Sequence, residues 1–415
     1  MEGSKSELRN VAAGAFIGLS LLLSHCGGPD QSRQLPEIST VTTVKGPAEG
    51  PVTGGTAVTI RGRNLGSDAL VFFGGVPAST VKVLDFETIV ATPQPVFLSG
   101  PTSIIVISVG QTAKKTDAFT FTPVIAFTSN RDGDNDIYLM DIDSKGLRPL
   151  TINTLRNDAD PTSLISDERP RFSYDGQSIA FESNREGNFD IYITDRNGFE
   201  PTPLSPDPAV DQSPAFSPEG TELVFISKRK NFLNNPEEDF EIFLVDRAGS
   251  NLRQLTENGA DDRDPRFSPD GGQIVFSSIR DGNYEIYTMS RDGLNVLRLT
   301  HDGATAREPV FSPDGTQILF SSDRDGDFEL YIIDRDGTNL KQLTANATRE
   351  SQPAFLSPLA VGKNILFTSD RTGNSELYMM SCSGTDTSYI TACDAATIKN
   401  LTLHASADIQ AAPSP

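Results

Sequence analysis

A 34-residue sequence occurs twice, in adjacent repeats, in this 415-residue chain. Phe267–Thr300 and Phe311–Thr344 are identical at 21 positions. Related copies begin at five anchor phenylalanines, Phe172, Phe216, Phe267, Phe311 and Phe355, separated by 44, 51, 44 and 44 residues. A period of this length is typical of β-propeller blades, each with about four strands. A single blade cannot cover its own faces, so repetition is what buries the core.

The amino-acid sequence of the repeat predicts where its strands and turns lie. "SPDG" supplies the Pro and Gly that a tight turn needs, and "QILF" and "ELYII" read as strands buried on both faces. Strands equivalent to "QILF" begin near Ile125, Ile179, Leu223, Ile274, Ile318 and Ile365. The first lacks its "FSPDG" strand, but the tail Asp408–Pro415 aligns with Asp211–Pro218. We therefore predict a six-bladed propeller over residues 123–415, closed by the C-terminal strand.

The first 35 residues read as an export signal and a tether. A polar start with Lys5 and Arg9 is followed by the apolar run Val11–Leu23 and then "LLLSHCGG". This layout is too short for a membrane span and is typical of a secretory signal. It resembles the bacterial lipoprotein signal, which implies cleavage after residue 25 and lipidation of Cys26. The alternative is an ordinary signal peptide with a bystander cysteine; residues 26–35 are a polar tether under either interpretation.

Residues 36–122 have a different composition from the repeats. Short β-rich runs broken by Gly and Pro, such as "GGTAVTIRGRNLG", "LVFFGGVPA" and "DAFTFTP", predict a small all-β sandwich. Their order resembles the IPT/TIG immunoglobulin-like domain, which implies a spacer or interaction module. The repeats of 123–415 resemble the TolB-type propeller. The fold class is thus all-β, an Ig-like sandwich followed by a propeller.

The net charge of −21 lies entirely on residues 123–415, which carry 26 basic and 47 acidic residues. Such a surface repels phosphate backbones and anionic headgroups, so nucleic acid is an unsuitable partner. Once His25 leaves with the signal, the only histidines are His301 and His404, and no Gly-x-Ser-x-Gly elbow is present. We expect no catalytic residues and no cofactor.

Each predicted blade carries an Arg and an acid flanking its middle hairpin. A constellation present six times indicates structure rather than an active site, and we interpret these as register-setting ion pairs. The pairs are Arg131 with Asp136, Arg185 with Asp190, Arg229 with Glu241, Arg280 with Glu285, Arg324 with Glu329 and Arg371 with Glu376. In the first blade "RDGDND", residues 131–136, also suggests calcium, although it lacks the spacing of an EF-hand loop.

A second row of acids precedes the inner strands. Its members are Asp167, Asp211, Asp262, Glu350 and Asp408, and Ala306 interrupts it. If inner strands line the channel, these five acids ring one mouth of it and attract cations or amines. The alternative is that they cap local turns.

Cys382 and Cys393 bracket one irregular stretch near the end of the chain. In an exported protein two leftover cysteines are expected to pair. The longest insertions, residues 152–170 and 228–239, fall in a crossover and in a second-to-third turn, which emerge on one face of a propeller. Long loops are where function concentrates, so we expect that face to bind.

We therefore predict an exported, lipid-anchored binding protein of the cell envelope, monomeric and non-enzymatic, attached to the bacterial outer membrane on its periplasmic side or at the cell surface. Its partner is expected to be a protein. The alternative function is a carbohydrate-binding or carbohydrate-active surface protein, against which the absence of Trp counts.

Overall fold

The fold is described from a computed structural model of the chain. It covers residues 35–43, 49–51, 56–74, 76–93, 100–108, 111–151, 165–198, 201–204, 206–229, 239–356, 363–385 and 388–414. All regular secondary structure in these ranges is β-strand, as the sequence predicts. None of the described segments forms a helix of the length and apolarity needed to cross a lipid bilayer. The lipidation site Cys26 and most of insertions 152–170 and 228–239 lie outside the described residues.

The first domain is built from eight strands that join edge to edge in the order β1-β3-β6-β5-β4-β7-β8-β2. They are β1 (Glu37–Thr43), β2 (Glu49–Pro51), β3 (Val58–Arg63), β4 (Leu70–Phe73), β5 (Val76–Asp85), β6 (Thr88–Pro93), β7 (Gly100–Ser108) and β8 (Gln111–Thr122). Strand β5 pairs with β4 through its first two residues and with β6 through the rest, which joins β1-β3-β6 to β4-β7-β8-β2. Alternate residues of β3, including Val58 and Ile60, are fully buried, as expected of half-buried strands.

Residues from 124 onward form six four-stranded sheets, the six predicted blades. The inner strands are β12 (Asp167–Phe172), β16 (Asp211–Phe216), β20 (Asp262–Phe267), β24 (Ala306–Phe311), β28 (Glu350–Phe355) and β32 (Asp408–Pro413). The second strands are β9 (Val124–Ser129), β13 (Ser178–Ser183), β17 (Glu222–Ser227), β21 (Gln273–Ser278), β25 (Gln317–Ser322) and β29 (Lys363–Ser369).

The two outer positions of each blade complete the sheets. The third strands are β10 (Asp136–Asp141), β14 (Asp190–Asp195), β18 (Glu241–Asp246), β22 (Glu285–Ser290), β26 (Glu329–Asp334) and β30 (Glu376–Thr385). The fourth strands are β11 (Arg148–Pro149), β15 (Thr202–Pro203), β19 (Arg253–Gln254), β23 (Leu297–Arg298), β27 (Lys341–Gln342) and β31 (Ser388–Asn400). The second strands are buried almost throughout because each is covered on both faces by neighbouring blades.

The ring is closed by the C-terminal strand, as the alignment of the tail predicts. Strand β32 pairs antiparallel with β9, and the first sheet runs β11-β10-β9-β32. The Oγ of Ser414 and the backbone N–H of Val124 bond at 3.0 Å, and the Ser414 N–H donates to the Val124 carbonyl at 2.7 Å. Two chain segments nearly 300 residues apart thus build one blade.

The cysteine stretch is regular rather than irregular, which corrects that part of the sequence prediction. Cys382 on β30 and Cys393 on β31 are cross-strand partners and form a disulfide bond. The pair links the third and fourth strands of the last blade, where a long β-ladder replaces the two-residue fourth strands of the other blades.

Candidate functional site

The two ends of the propeller differ in the chain segments they expose. The face where inner strands begin and second-to-third turns lie is called the crossover face; it includes turns 130–135, 279–284 and 323–328. The opposite face carries the "SPDG" turns and the third-to-fourth turns and is called the SPDG face. The antiparallel order of each blade fixes this assignment.

The arginine of each second-to-third turn organises the blade beneath the crossover face. In the fourth blade, Arg280 donates through Nε to the Oγ of Ser278 at 2.8 Å and through a terminal nitrogen to both oxygens of Asp262 at 2.8–2.9 Å. Its guanidinium also lies over the rings of Phe276 and Tyr287, 5.2 and 5.0 Å from their centroids. Charge, hydrogen bonds and cation–π contacts all hold one side chain in place.

The ion pairs therefore form with different partners from those the sequence indicated. The sequence paired each arginine with the acid that begins the third strand, whereas in five blades the structure shows it bonded to the first residue of its inner strand. The observed pairs are Arg131–Asp408, Arg185–Asp167, Arg229–Asp211, Arg280–Asp262 and Arg371–Glu350. In the fifth blade Ala306 takes the place of the acid, and Arg324 pairs with the half-exposed Asp302.

The row of five acids does not ring a channel mouth. Asp167, Asp211, Asp262, Glu350 and Asp408 are each at most 1% exposed. A carboxylate buried this deeply and neutralised by an arginine offers little to an incoming cation. The burial of these five residues argues against an open acidic ring, and ligand binding at them stays a prediction. Their arginine partners lie 18 to 21 residues away in four blades, and Asp408 lies 277 residues from Arg131.

The acids that begin the third strands are buried as well and accept hydrogen bonds from the fourth-strand segment. Asp136 accepts from the Oγ of Thr151 at 2.9 Å, and Glu285 and Glu376 accept from Thr300 and Thr402. Burial raises the pKa of Asp136 to about 7, that of Asp190 to about 6 and that of Glu329 to about 7. Folding thus favours the protonated form of these groups.

We expect the propeller to be more stable at pH 5 than at pH 8. A carboxyl group whose folded-state pKa lies above its unfolded value of 3.8 or 4.5 stabilises the fold fully at low pH, and that contribution is lost as pH rises through about 6 to 7. Urea unfolding of the wild type and Glu329→Gln at both pH values measures the effect. The difference in stability between pH 5 and pH 8 should be smaller for Glu329→Gln than for the wild type. For Glu257→Gln, which removes an exposed carboxylate, this difference should equal that of the wild type. A wild-type midpoint that rises toward pH 8 would contradict this.

The three aspartates suggested as calcium ligands lie close together, but their oxygens are not all available to an ion. Carboxylate oxygens of Asp132, Asp134 and Asp136 lie within 4.8 Å of one another. One of them already accepts from the hydroxyl of Tyr138 at 2.8 Å, and the raised pKa of Asp136 disfavours its charged form. Calcium at this turn stays a prediction.

The central channel is lined by an unusual backbone feature of the inner strands. At the third residue of all six, φ is positive, between 50° and 61°, and the residues are Arg169, Ser213, Asp264, Glu308, Gln352 and Gln410. Each sits in a β-bulge where the register to the second strand shifts. Such a conformation costs roughly 1–3 kcal/mol for a residue with a side chain. Its recurrence at the same position of all six inner strands therefore indicates a structural feature of the repeat.

The bulges leave backbone N–H groups that the neighbouring blade satisfies. The N–H of Arg169 donates to Oε1 of Gln410 at 3.0 Å, and the N–H of Gln410 donates to Oε1 of Gln352 at 2.9 Å. The N–H of Gln352 donates to Glu308 at 2.6 Å, and that of Ser213 to Glu182 at 3.0 Å. These bonds form a belt around the channel from blade to blade.

The belt is interrupted between the third and fifth blades. The short side chain of Ser213 and the apolar Ile226 behind it cannot bridge to the N–H of Asp264, and the Asp264 side chain is one methylene shorter than Glu or Gln. Among the described residues, no side chain of a neighbouring blade accepts a hydrogen bond from the N–H of Asp264 or Glu308, unlike the corresponding N–H groups of the other four bulges. The Oγ of the buried Ser213 also has no hydrogen-bond partner there.

A cavity of about 350 Å³ opens at this interruption on the crossover face. Its lining includes Arg263, Tyr284 and Arg307 together with Ser213, Asp264, Glu308 and Arg169. The guanidinium of Arg307 lies 3.9 Å from the ring centroid of Tyr284, and its Nε has no partner in the described structure. Donors that the fold leaves unbonded therefore face a polar pocket, as expected of a binding site.

Arginine–aromatic stacks continue along the same face across three blade junctions. Arg263 lies over Phe240 at 4.2 Å, Arg307 over Tyr284 at 3.9 Å and Arg349 over Phe328 at 4.8 Å. Arg and Tyr are enriched among residues that dominate binding energy at interfaces.

The candidate groups on the crossover face are neighbours of the acids that the sequence singled out. They are the arginines beside the first residue of the inner strand, Arg263, Arg307 and Arg349, and the aromatic residue before each third strand. An aromatic at 240, 284 and 328, each 21 to 23 residues before an arginine at 263, 307 and 349, was the available signal.

The family comparisons agree with this architecture. The IPT/TIG domain model matches residues 36–123, and the TolB beta propeller domain model matches residues 231–311 and 304–410. The chain carries an IPT/TIG domain followed by a TolB-type β-propeller.

Individual curated relatives match only part of the chain. A protein TolB homolog of Chlorobium chlorochromatii is 30% identical over 140 residues, 25% of this chain and 32% of that protein. An uncharacterized peptidase of Bacillus subtilis is 30% identical over 139 residues, 26% of this chain and 21% of its own length. The chain spans less than half the length of each curated relative.

The fold is also that of a solved TolB structure. The crystal structure of TolB from Acinetobacter baumannii superposes with a TM-score of 0.57 at 19% identity, covering 77% of this chain and 80% of that one. At this identity the likeness establishes the fold.

Proposed function

We propose that this chain is a non-enzymatic binding scaffold of the bacterial cell envelope whose crossover face recognises a protein partner. The observation that carries the proposal is the cavity at the interrupted belt, where Ser213 and Arg307 present polar atoms with no partner in the described structure. The Arg–aromatic stacks beside it supply the planar, pre-positioned side chains that act as interface anchors. Similarity to TolB homologs supports the envelope assignment.

The partner-binding proposal is tested by capturing interactors on the purified chain. The mature protein would be extracted with detergent from membranes of the source cells, and co-purifying proteins identified by mass spectrometry. Their affinity for Tyr284→Ala and Arg307→Ala should fall by about thirtyfold, as expected when an interface anchor contributing about 2 kcal/mol is truncated.

Arg335→Ala is the matched control for this experiment. Arg335 lies 5.5 Å over Phe311 in a similar stack, but at the SPDG face. It should bind as the wild type does. Equal binding by all three variants, or capture of glycans with no protein, would refute recognition of a protein on the crossover face.

We further propose that Cys26 anchors the scaffold to the outer membrane through acyl chains. The apolar run and "LLLSHC" at the start of the sequence support this. Mass spectrometry of the mature protein should find residue 26 at the N-terminus with a diacylated or triacylated cysteine, and Cys26→Ser should move the protein to the soluble fraction. A mature chain that begins elsewhere would contradict the anchor.

A further inference from the structure

The half of the channel nearer the SPDG face contains a second kind of site. A cavity of about 390 Å³ is lined by all six inner strands on this side. The fifth residue of each inner strand lines this cavity. Two of these six residues are arginines, Arg171 and Arg266, and they lie among small side chains. The other four are Ala215, Val310, Ala354 and Ala412.

The two arginines are positioned to act together. They project from the second and fourth blades and flank Ala215 of the blade between them, while Val310, Ala354 and Ala412 leave space across the channel. Within the described part of the chain each guanidinium donates one hydrogen bond, to the carbonyl of the proline before it: Arg171 to Pro170 at 2.7 Å and Arg266 to Pro265 at 2.9 Å.

The protein only partly neutralises the positive charges of Arg171 and Arg266. No carboxylate of the described residues lies within 4 Å of either guanidinium, although the charges of Asp264 and Glu182 act on both and that of Glu308 acts on Arg266. Burial lowers the pKa of each, that of Arg266 to about 10, and the positive charge of Arg266 lowers that of Arg171 further. By contrast Arg169, one layer nearer the crossover face, is paired with Glu182 at 3.1 Å.

The layer next to the arginines is apolar. The sixth residues of the inner strands are Phe172, Phe216, Phe267, Phe311, Phe355 and Pro413. All six residues line the cavity, and Phe216, Phe267, Phe311 and Phe355 are at most 8% exposed. A ligand held here therefore meets guanidinium forks on one side and the accessible part of this apolar layer on the other. Guanidinium groups match the planar geometry of a carboxylate, and rings pack against an apolar body.

We propose that Arg171 and Arg266 form a binding site for an organic carboxylate whose apolar part packs against the phenylalanine layer of the channel. The carboxylate belongs to a small molecule or to the C-terminus of a peptide, since both present the same group. This site is separate from protein recognition at the crossover face and does not depend on it.

The test is calorimetric titration of the full mature chain with two carboxylates and their matched neutral forms. The probes are 3-phenylpropionate against 3-phenylpropanamide, and a short peptide ending in Phe against the same peptide amidated. At least one carboxylate should bind at least tenfold more tightly than its amide. The probe that binds identifies the source of the carboxylate, and inorganic phosphate should bind at least tenfold more weakly than that probe.

Variants assign the binding to this pair. Arg171→Met and Arg266→Met should each reduce the affinity of the bound carboxylate at least tenfold, and Lys341→Gln on an exposed fourth strand should not. Ala354→Leu, which fills the cavity and retains both arginines, should also reduce binding and guards against misfolding of the arginine variants. Failure of both carboxylates to bind, equal binding of the amides or phosphate, or unchanged binding in all three channel variants would overturn the proposal.

Discussion

Arg280→Met is expected to lower the free energy of unfolding by about 3–5 kcal/mol, because it leaves the carboxylate of Asp262 buried without its cation. Asp262 is completely buried, and within the described structure it would retain a hydrogen bond from the side-chain amide of Asn258 at 2.8 Å. The lost stacking on Phe276 and Tyr287 adds to the effect. Urea unfolding followed by circular dichroism measures it.

The fifth blade provides the matched control for this substitution. Arg324 makes the same stacks, over Phe320 at 5.3 Å and Tyr331 at 4.5 Å, but faces Ala306 instead of an acid. Arg324→Met should therefore cost only about 1–2 kcal/mol, since no buried charge loses its partner.

A double substitution isolates the buried charge. Arg280→Met with Asp262→Ala gives the fourth blade the same residue types at these two positions as the fifth blade has in Arg324→Met, and it should recover most of the stability lost in Arg280→Met alone. Equal losses for Arg280→Met and Arg324→Met, with no recovery in the double variant, would show that the buried pairs do not organise the blades.

Removal of residues 405–415 is also expected to destabilise the propeller strongly. It deletes the inner strand of the first blade, exposes the buried Ile125 and Phe127, and leaves Arg131 without Asp408. The opened ring also presents unpaired strand edges, which promote aggregation. The truncated chain should lose cooperative unfolding and elute as aggregate in size-exclusion chromatography.

Adding the missing strand as a peptide tests whether closure itself is responsible. A synthetic peptide of residues 405–415, supplied during refolding, should restore monomeric, cooperatively unfolding protein. The same peptide with Asp408→Ala should restore less, because Arg131 keeps no carboxylate. A truncated chain with a wild-type unfolding midpoint would contradict closure by this strand.

The architecture was predictable because it depends on patterns that are local or periodic. The 44-residue spacing of "FSPDG", the apolar strands and the tail aligned with Asp211–Pro218 were sufficient to predict six blades and their closure. Each of these features needs only propensities and burial, which act over a few residues.

The pairing of charges and the channel backbone were not predictable in the same way. Arg131 has Asp136 close in sequence but bonds Asp408, because strand pairing and not chain distance determines its neighbours. Residues before proline are normally extended, yet Arg169, Ser213, Asp264, Glu308 and Gln352 adopt positive φ before one. That conformation depends on bulges and on hydrogen bonds from the adjacent blade, which arise only when the ring has formed.

Photo-crosslinking from each face tests whether the crossover face binds a protein partner. A benzoylphenylalanine residue would replace exposed Asn283 on the crossover face or exposed Asp336 on the SPDG face, in full-length protein expressed in its own cells. We predict that irradiation links a partner protein to the chain from position 283 and not from position 336. Adducts from 336 alone, or no protein adduct from 283, would contradict recognition of a protein partner by the crossover face.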